Sequence, residues 1–133
     1  MARILLIDDD DSLRTMLRLT LIHFGHTVIE ARNGKEGLDA FPQAKADLVI
    51  TDIVMPEKEG NEVLIELRKK DPQVKIIAMS GGGRGKATDY LRVATQLGAA
   101  RALAKPFSNE ALMAAINEVL PTIKIPTNPT AGL

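Results

Sequence analysis

Short runs of Ile, Leu and Val recur along the chain, each four or five residues long and closed by turn-forming or polar residues, with longer amphipathic stretches between them. That alternation predicts consecutive βα units on a parallel sheet. Strands are expected at residues 2–7, 27–31, 47–51, 75–79 and 101–104. Three of the five are nearly continuous aliphatic runs, as suits strands covered by helices on both faces. The second is more mixed and reads as a sheet edge. The first helix places Leu13, Leu17, Leu21 and Phe24 at helical spacing, opens after Asp10 and Asp11 as N-cap candidates, and stops at Gly25. A second follows Asn33, with Glu36 in reach of its N-terminus, and Pro42 is expected to limit it to about two turns. The third turns Val63, Leu64 and Leu67 inward and ends at Asp71-Pro72. The fourth carries Tyr90, Val93, Ala94 and Leu97 before Gly98, and the fifth starts at Ser108 and buries Leu112, Ile116, Val119 and Leu120.

With 133 residues, 45% of them apolar, the chain suffices for one self-sufficient core. Residues 1–120 form the expected domain. Residues 121–133 hold three prolines and no periodicity, and read as a tail. The absence of cysteine excludes a disulfide framework, thiolate metal clusters and a cysteine nucleophile. Seventeen basic residues against seventeen acidic ones provide no overall positive field for duplex DNA or an anionic membrane. The apolar runs fall far short of the ~20 residues that span a bilayer. A cytoplasmic protein without a membrane segment or DNA-binding domain is therefore expected.

In an open α/β sheet, ligands bind outside the carboxyl ends of the strands, and here those ends carry unusual residues. Strand one runs into Asp8-Asp9-Asp10-Asp11, strand three into Asp52, strand four into Ser80 and Gly81-Gly82-Gly83, and strand five into Lys105-Pro106. Asp8, Asp9 and Asp52 would meet closely enough to raise one another's pKa, and a hard divalent cation such as Mg²⁺ is the usual remedy. Lys105 offers a compact cation for a phosphoryl oxygen. Asp10 and Asp11 are adequately explained as helix caps. His23 and His26 fall at the opposite end of the first βα unit, so Ser80 has no base and a Ser/His/Asp hydrolase is disfavoured. The glycine run lacks the Gly-Lys-Ser/Thr of a Walker A loop.

Over residues 2–120 this constellation resembles the receiver domain of two-component response regulators. The resemblance is carried by the acidic pair Asp8-Asp9, the Asp-x-x-Met-Pro-x-x-x-Gly stretch of Asp52, Met55, Pro56 and Gly60, the hydroxyl of Ser80, and Lys105-Pro106-Phe107. It implies a flavodoxin-like (βα)5 fold, a doubly wound five-stranded parallel sheet in three α/β/α layers. It further implies that Asp52 is phosphorylated by a sensor histidine kinase or phosphotransfer protein. Asp9 would bind Mg²⁺ (or Mn²⁺) directly and Asp8 largely through water, with Asp52 and the backbone carbonyl of Val54 completing the set. Lys105 and Ser80 would serve catalysis and switching, and the Lys105-Pro106 bond would be cis.

The chain is expected to act as a stand-alone switch, and the resemblance implies that it is not an enzyme that turns over a substrate and that a downstream protein reads the helix-four/strand-five face. Arg84, Lys86, Arg92 and Arg101, with only Asp89 nearby, make that face locally basic. The sequence departs from the family at Ala102, where an aromatic residue is common, so the segment from Gly81 to Gly85 is expected to reorder in its place on activation. Two other readings compete. An Asp-nucleophile phosphatase of small metabolites would carry Asp-x-Asp, whereas Asp52 is followed by Ile53-Val54. A degenerate, phosphorylation-independent binding module would not need the acids, Ser80 and Lys105 together.

Overall fold

The computed structural model describes residues 2–53, 60–81 and 87–120. Five strands alternate with five helices: β1 (Arg3–Ile7), α1 (Asp11–His23), β2 (Thr27–Ala31), α2 (Gly34–Ala44), β3 (Leu48–Asp52), α3 (Gly60–Lys70), β4 (Ile76–Ser80), α4 (Ala87–Gln96), β5 (Arg101–Ala104) and α5 (Asn109–Val119). The sheet is parallel throughout, in the order β2-β1-β3-β4-β5. This is the expected doubly wound arrangement, and the mixed second strand does lie at an edge.

Alternation along the strands divides the interior in two. Leu5, Ile7, Val49, Ile76 and Ala78 point to one face and pack with Leu38 of α2, Val63, Leu64 and Leu67 of α3 and Ala94 of α4. Ile4, Leu6, Leu48, Ile50, Ile77 and Met79 point to the other and meet Leu17 and Leu21 of α1 and Leu112, Ala115 and Ile116 of α5. Two buried faces explain why the central strands are apolar at consecutive positions, up to their polar carboxyl ends, instead of at every second one.

The helix ends follow local chemistry. Asp10 caps α1 by accepting from Leu13 N at 3.0 Å, Asn33 caps α2 by accepting from Glu36 N at 2.9 Å, and Ser108 caps α5 by accepting from Ala111 N at 3.0 Å. Gly25 (φ 94°) and Gly98 (φ 113°) adopt the left-handed conformations that turn the chain out of α1 and α4.

Three expectations need correction. α2 runs eleven residues with Pro42 inside it. The proline forfeits only the hydrogen bond to Leu38 C=O, and two more residues complete the turn before Lys45 (φ 50°) ends it. Phe24 is 48% exposed because it follows the last residue of α1, where the helical spacing no longer fixes its direction. Val93 is 39% exposed as well, whereas Ala94 of α4 is buried and Leu97 packs against the same cluster. The tail at residues 121–133, and with it the domain boundary, lies outside the described residues. Among the described residues no helix is long and apolar enough to cross a membrane.

α2 lies close to β1 at Gly37, where a β-carbon would sit 2.3 Å from Ile7 Cδ1 and 2.8 Å from its Cγ1. Ile7 is fully buried, so its side chain has to shift within the core to make room. Gly37→Ala should therefore cost about 1–3 kcal/mol by overpacking, despite alanine's better helix propensity, and thermal denaturation would register it as a lower Tm. An unchanged or raised Tm would show that α2 can shift away from the sheet.

Candidate functional site

The order of the sheet reverses at β1, whose neighbours β2 and β3 leave in opposite directions, and that switch point is where an α/β sheet opens a crevice. Ile7 pairs with Thr51 in the β1–β3 register, so the residues that follow them, Asp8 and Asp52, emerge side by side. The ladder continues beyond the expected strand ends: Asp52 is the last residue of β3, and Ile53 N donates to Met79 O at 3.0 Å. Ser80 closes β4 beside Ala104, and Lys105 N donates to Ser80 O at 2.8 Å. Lys105 thus leaves β5 next to the acids, and the Lys105-Pro106 bond is cis.

Carboxylate oxygens of Asp8, Asp9 and Asp52 all lie within 4.8 Å of one another. Asp8 and Ser80 are fully buried, Asp52 nearly so, and Asp9 is exposed. Lys105 Nζ stands 2.6 Å from Asp52 Oδ2 and 3.3 Å from Asp8 Oδ2, so a single ammonium bridges two of the three acids. Asp8 Oδ1 also accepts from Asp10 N at 2.9 Å. Burial drives the Asp8 pKa above the ordinary carboxylate value; the Asp10 N–H and the charge of Lys105 pull it down, the negative charge of Asp52 pushes it further up, and the net effect is a rise. Burial alone would lower the Lys105 pKa, but its hydrogen bond to Asp52 and the charges of Asp52 and Asp8 outweigh that, and it is raised.

The donor set suits a hard divalent cation: three carboxylates converge, one of them open to solvent, with one ammonium among them. Cation and proton compete for Asp8. Because its pKa is raised, Mg²⁺ binding should begin to weaken on acidification at a higher pH than an exposed carboxylate would dictate. Mg²⁺ titrations followed by the amide NMR shifts of Asp8 to Asp11 at descending pH would check this; affinity independent of pH down to the ordinary carboxylate range would place the cation elsewhere.

Of the residues singled out from the sequence, Asp8, Asp9, Asp52, Ser80, Lys105 and Pro106 come together at this edge. The Val54 carbonyl, Met55, Pro56 and the segment from Gly82 to Gly85 lie outside the described residues. His23 is exposed, and half-buried His26 accepts from Ala2 N at the far end of the sheet, so neither histidine reaches the site. The basic face is weaker than expected, since Arg101 hydrogen-bonds Glu118. The sequence reading also missed Arg14, a buried cation whose guanidinium bonds the Asp8 carbonyl and reaches Asp11 and Glu30. Its position was informative: three residues before Leu17 and seven before Leu21, it falls on the buried stripe of α1.

The chain is 37% identical over 119 residues to transcriptional regulatory protein GlrR of Escherichia coli, covering 90% of this chain but 26% of that protein. It therefore spans about a quarter of that relative's length. With chemotaxis protein CheY of Thermotoga maritima it shares 35% identity, covering 88% of this chain and 96% of that one. The structure of response regulator TrrA from Thermotoga maritima, solved in complex with Mg²⁺-BeF, superposes with a TM-score of 0.79 at 33% identity, over 90% of this chain and all of that one. A model of the response regulator receiver domain matches residues 4–117, and with the acidic crevice and its bridging lysine this makes the chain a member of the response regulator receiver family.

Proposed function

We propose that the chain is a phosphoacceptor switch in which Asp52 takes a phosphoryl group from the phosphohistidine of a sensor kinase or phosphotransfer protein. The observation that carries this reading is the single ammonium of Lys105 held between Asp52 and Asp8 while three carboxylates converge within 4.8 Å. In the transfer, an Asp52 oxygen attacks phosphorus in line, the P–N bond breaks, and the imidazole departs with the electron pair, leaving an acyl phosphate. Asp8, Asp9 and Asp52, with the Val54 carbonyl, are the proposed holders of Mg²⁺ or Mn²⁺. The bound cation would neutralise anionic charge and polarise the phosphoryl oxygens. Lys105 offsets the charge of the incoming phosphoryl group, and Ser80 supplies a hydroxyl to one of its oxygens. These roles make the chain a self-modifying acceptor in the cytoplasm and not a metabolite-processing enzyme.

Exposed apolar side chains beside the site suit a protein donor. Met16 (56% exposed) lines, with Leu13, Pro106 and Phe107, a pocket of about 380 Å³ that also touches Lys105. Output is assigned to the α4/β5 face. Ala102 of β5 stands opposite Ala78, with no ring to move, so the proposed route of switching is the backbone following β4.

The test is incubation with acetyl phosphate followed by intact mass measurement. One added phosphoryl group should appear with Mg²⁺ and not with chelator. No adduct under conditions that label another receiver would overturn the reading.

A further inference from the structure

We infer that Arg14 is a positioning residue for the cation site, fixing the peptide that joins Asp8 to Asp9; the inference rests on the reading of Asp8, Asp9 and Asp52 as cation ligands. Arg14 is 8% exposed, and its planar fork joins three elements. Nη1 donates to the Asp8 carbonyl at 2.7 Å, Nη2 to Asp11 Oδ1 at 2.7 Å and Nε to Glu30 Oε1 at 3.1 Å. The Asp8 N–H donates to Ala31 O at 3.1 Å, and its carboxylate is held by Asp10 N and Lys105. Asp8 is thereby fixed at its amide, its carbonyl and its side chain, and the carbonyl contact is the one Arg14 makes.

That carbonyl belongs to the peptide plane leading into Asp9. Rotating the plane re-aims the Cα–Cβ bond of Asp9, whose exposed carboxylate no other described side chain bonds. The aim of Asp9 into the crevice therefore depends on its backbone, and Arg14 holds that backbone from behind. A lysine could keep the charge but not the three-way fork.

Charge and orientation predict opposite signs, which makes the role testable. Were Arg14 only a nearby cation, removing it would take away the ion pair of Asp11, leave Glu30 with Arg18 alone, and draw Mg²⁺ in more tightly. As a positioning residue, its loss weakens binding whether or not the charge is kept. Mg²⁺ titrations of the parent, Arg14→Lys and Arg14→Gln should be followed by the amide shifts of Asp8 to Asp11 and Ile53, with the metal-free Tm measured alongside. Both variants should bind Mg²⁺ about tenfold more weakly, the order of loss seen when residues that orient metal ligands are removed. Should Arg14→Gln fail to fold, Arg14→Lys alone decides. Parent-like binding by Arg14→Lys, with or without tighter binding by Arg14→Gln, would overturn the inference, and a lowered Tm with unchanged affinity would mark Arg14 as purely structural. A parent protein with no saturable shift at these amides would instead overturn the cation-site reading, and the inference with it.

Discussion

Asp52→Asn should receive no phosphoryl group from any donor that labels the parent protein. An amide lacks the anionic oxygen that attacks phosphorus, and neither neighbouring acid is placed to substitute for it. Asp8 is fully buried and bonded on both oxygens, by Asp10 N–H and by Lys105. Asp9 is exposed and, among the described residues, has no ammonium contact of the kind Lys105 makes with Asp52 at 2.6 Å. The substitution is nearly isosteric at a position outside both apolar clusters, so the fold should persist. Intact mass after incubation with acetyl phosphate and Mg²⁺ would check it, and a labelled Asp52→Asn protein would refute the assignment.

Lys105→Ala should slow phosphorylation by about two to three orders of magnitude, the range seen when one preorganised group that stabilises developing charge is removed. The side chain stands past the end of β5, while the folding energy lies in the two clusters on either side of the sheet. Circular dichroism should therefore show the parent's secondary structure. Removing the ammonium does leave Asp8 and Asp52 without their shared counter-charge, so added Mg²⁺ should raise the Tm of the variant more than that of the parent. Unfolding of the variant even with Mg²⁺ would make Lys105 a structural partner of the acids before anything else.

The fold was legible because most strands are short aliphatic runs and the helices carry apolar stripes, Leu17 and Leu21 or Leu112 and Ile116 among them. Strand ends were less so. Asp52 and Ser80 read as the residues after β3 and β4 because polar side chains look like loop, yet their backbones continue the ladder, which is what fixes the depth of both side chains. Pro42 was over-read as a stop, since a proline in the last turn removes a single hydrogen bond. The site residues were visible as polar groups at strand ends, whereas Arg14 was not. A lone arginine on a helix ordinarily reads as solvated, and only three-dimensional closure shows that the Asp8 carbonyl, Asp11 and Glu30 together accept its fork.

The central claim, that the Asp52 carboxylate forms the acyl phosphate, is most directly tested by trapping that bond. Borohydride reduces an aspartyl phosphate to homoserine, and tandem mass spectrometry of the digested protein then locates the altered residue. Homoserine should appear at position 52 alone, and only after treatment with phosphodonor and Mg²⁺. Homoserine at Asp8 or Asp9, or a phosphorylated protein in which no aspartate is reduced, would contradict the account.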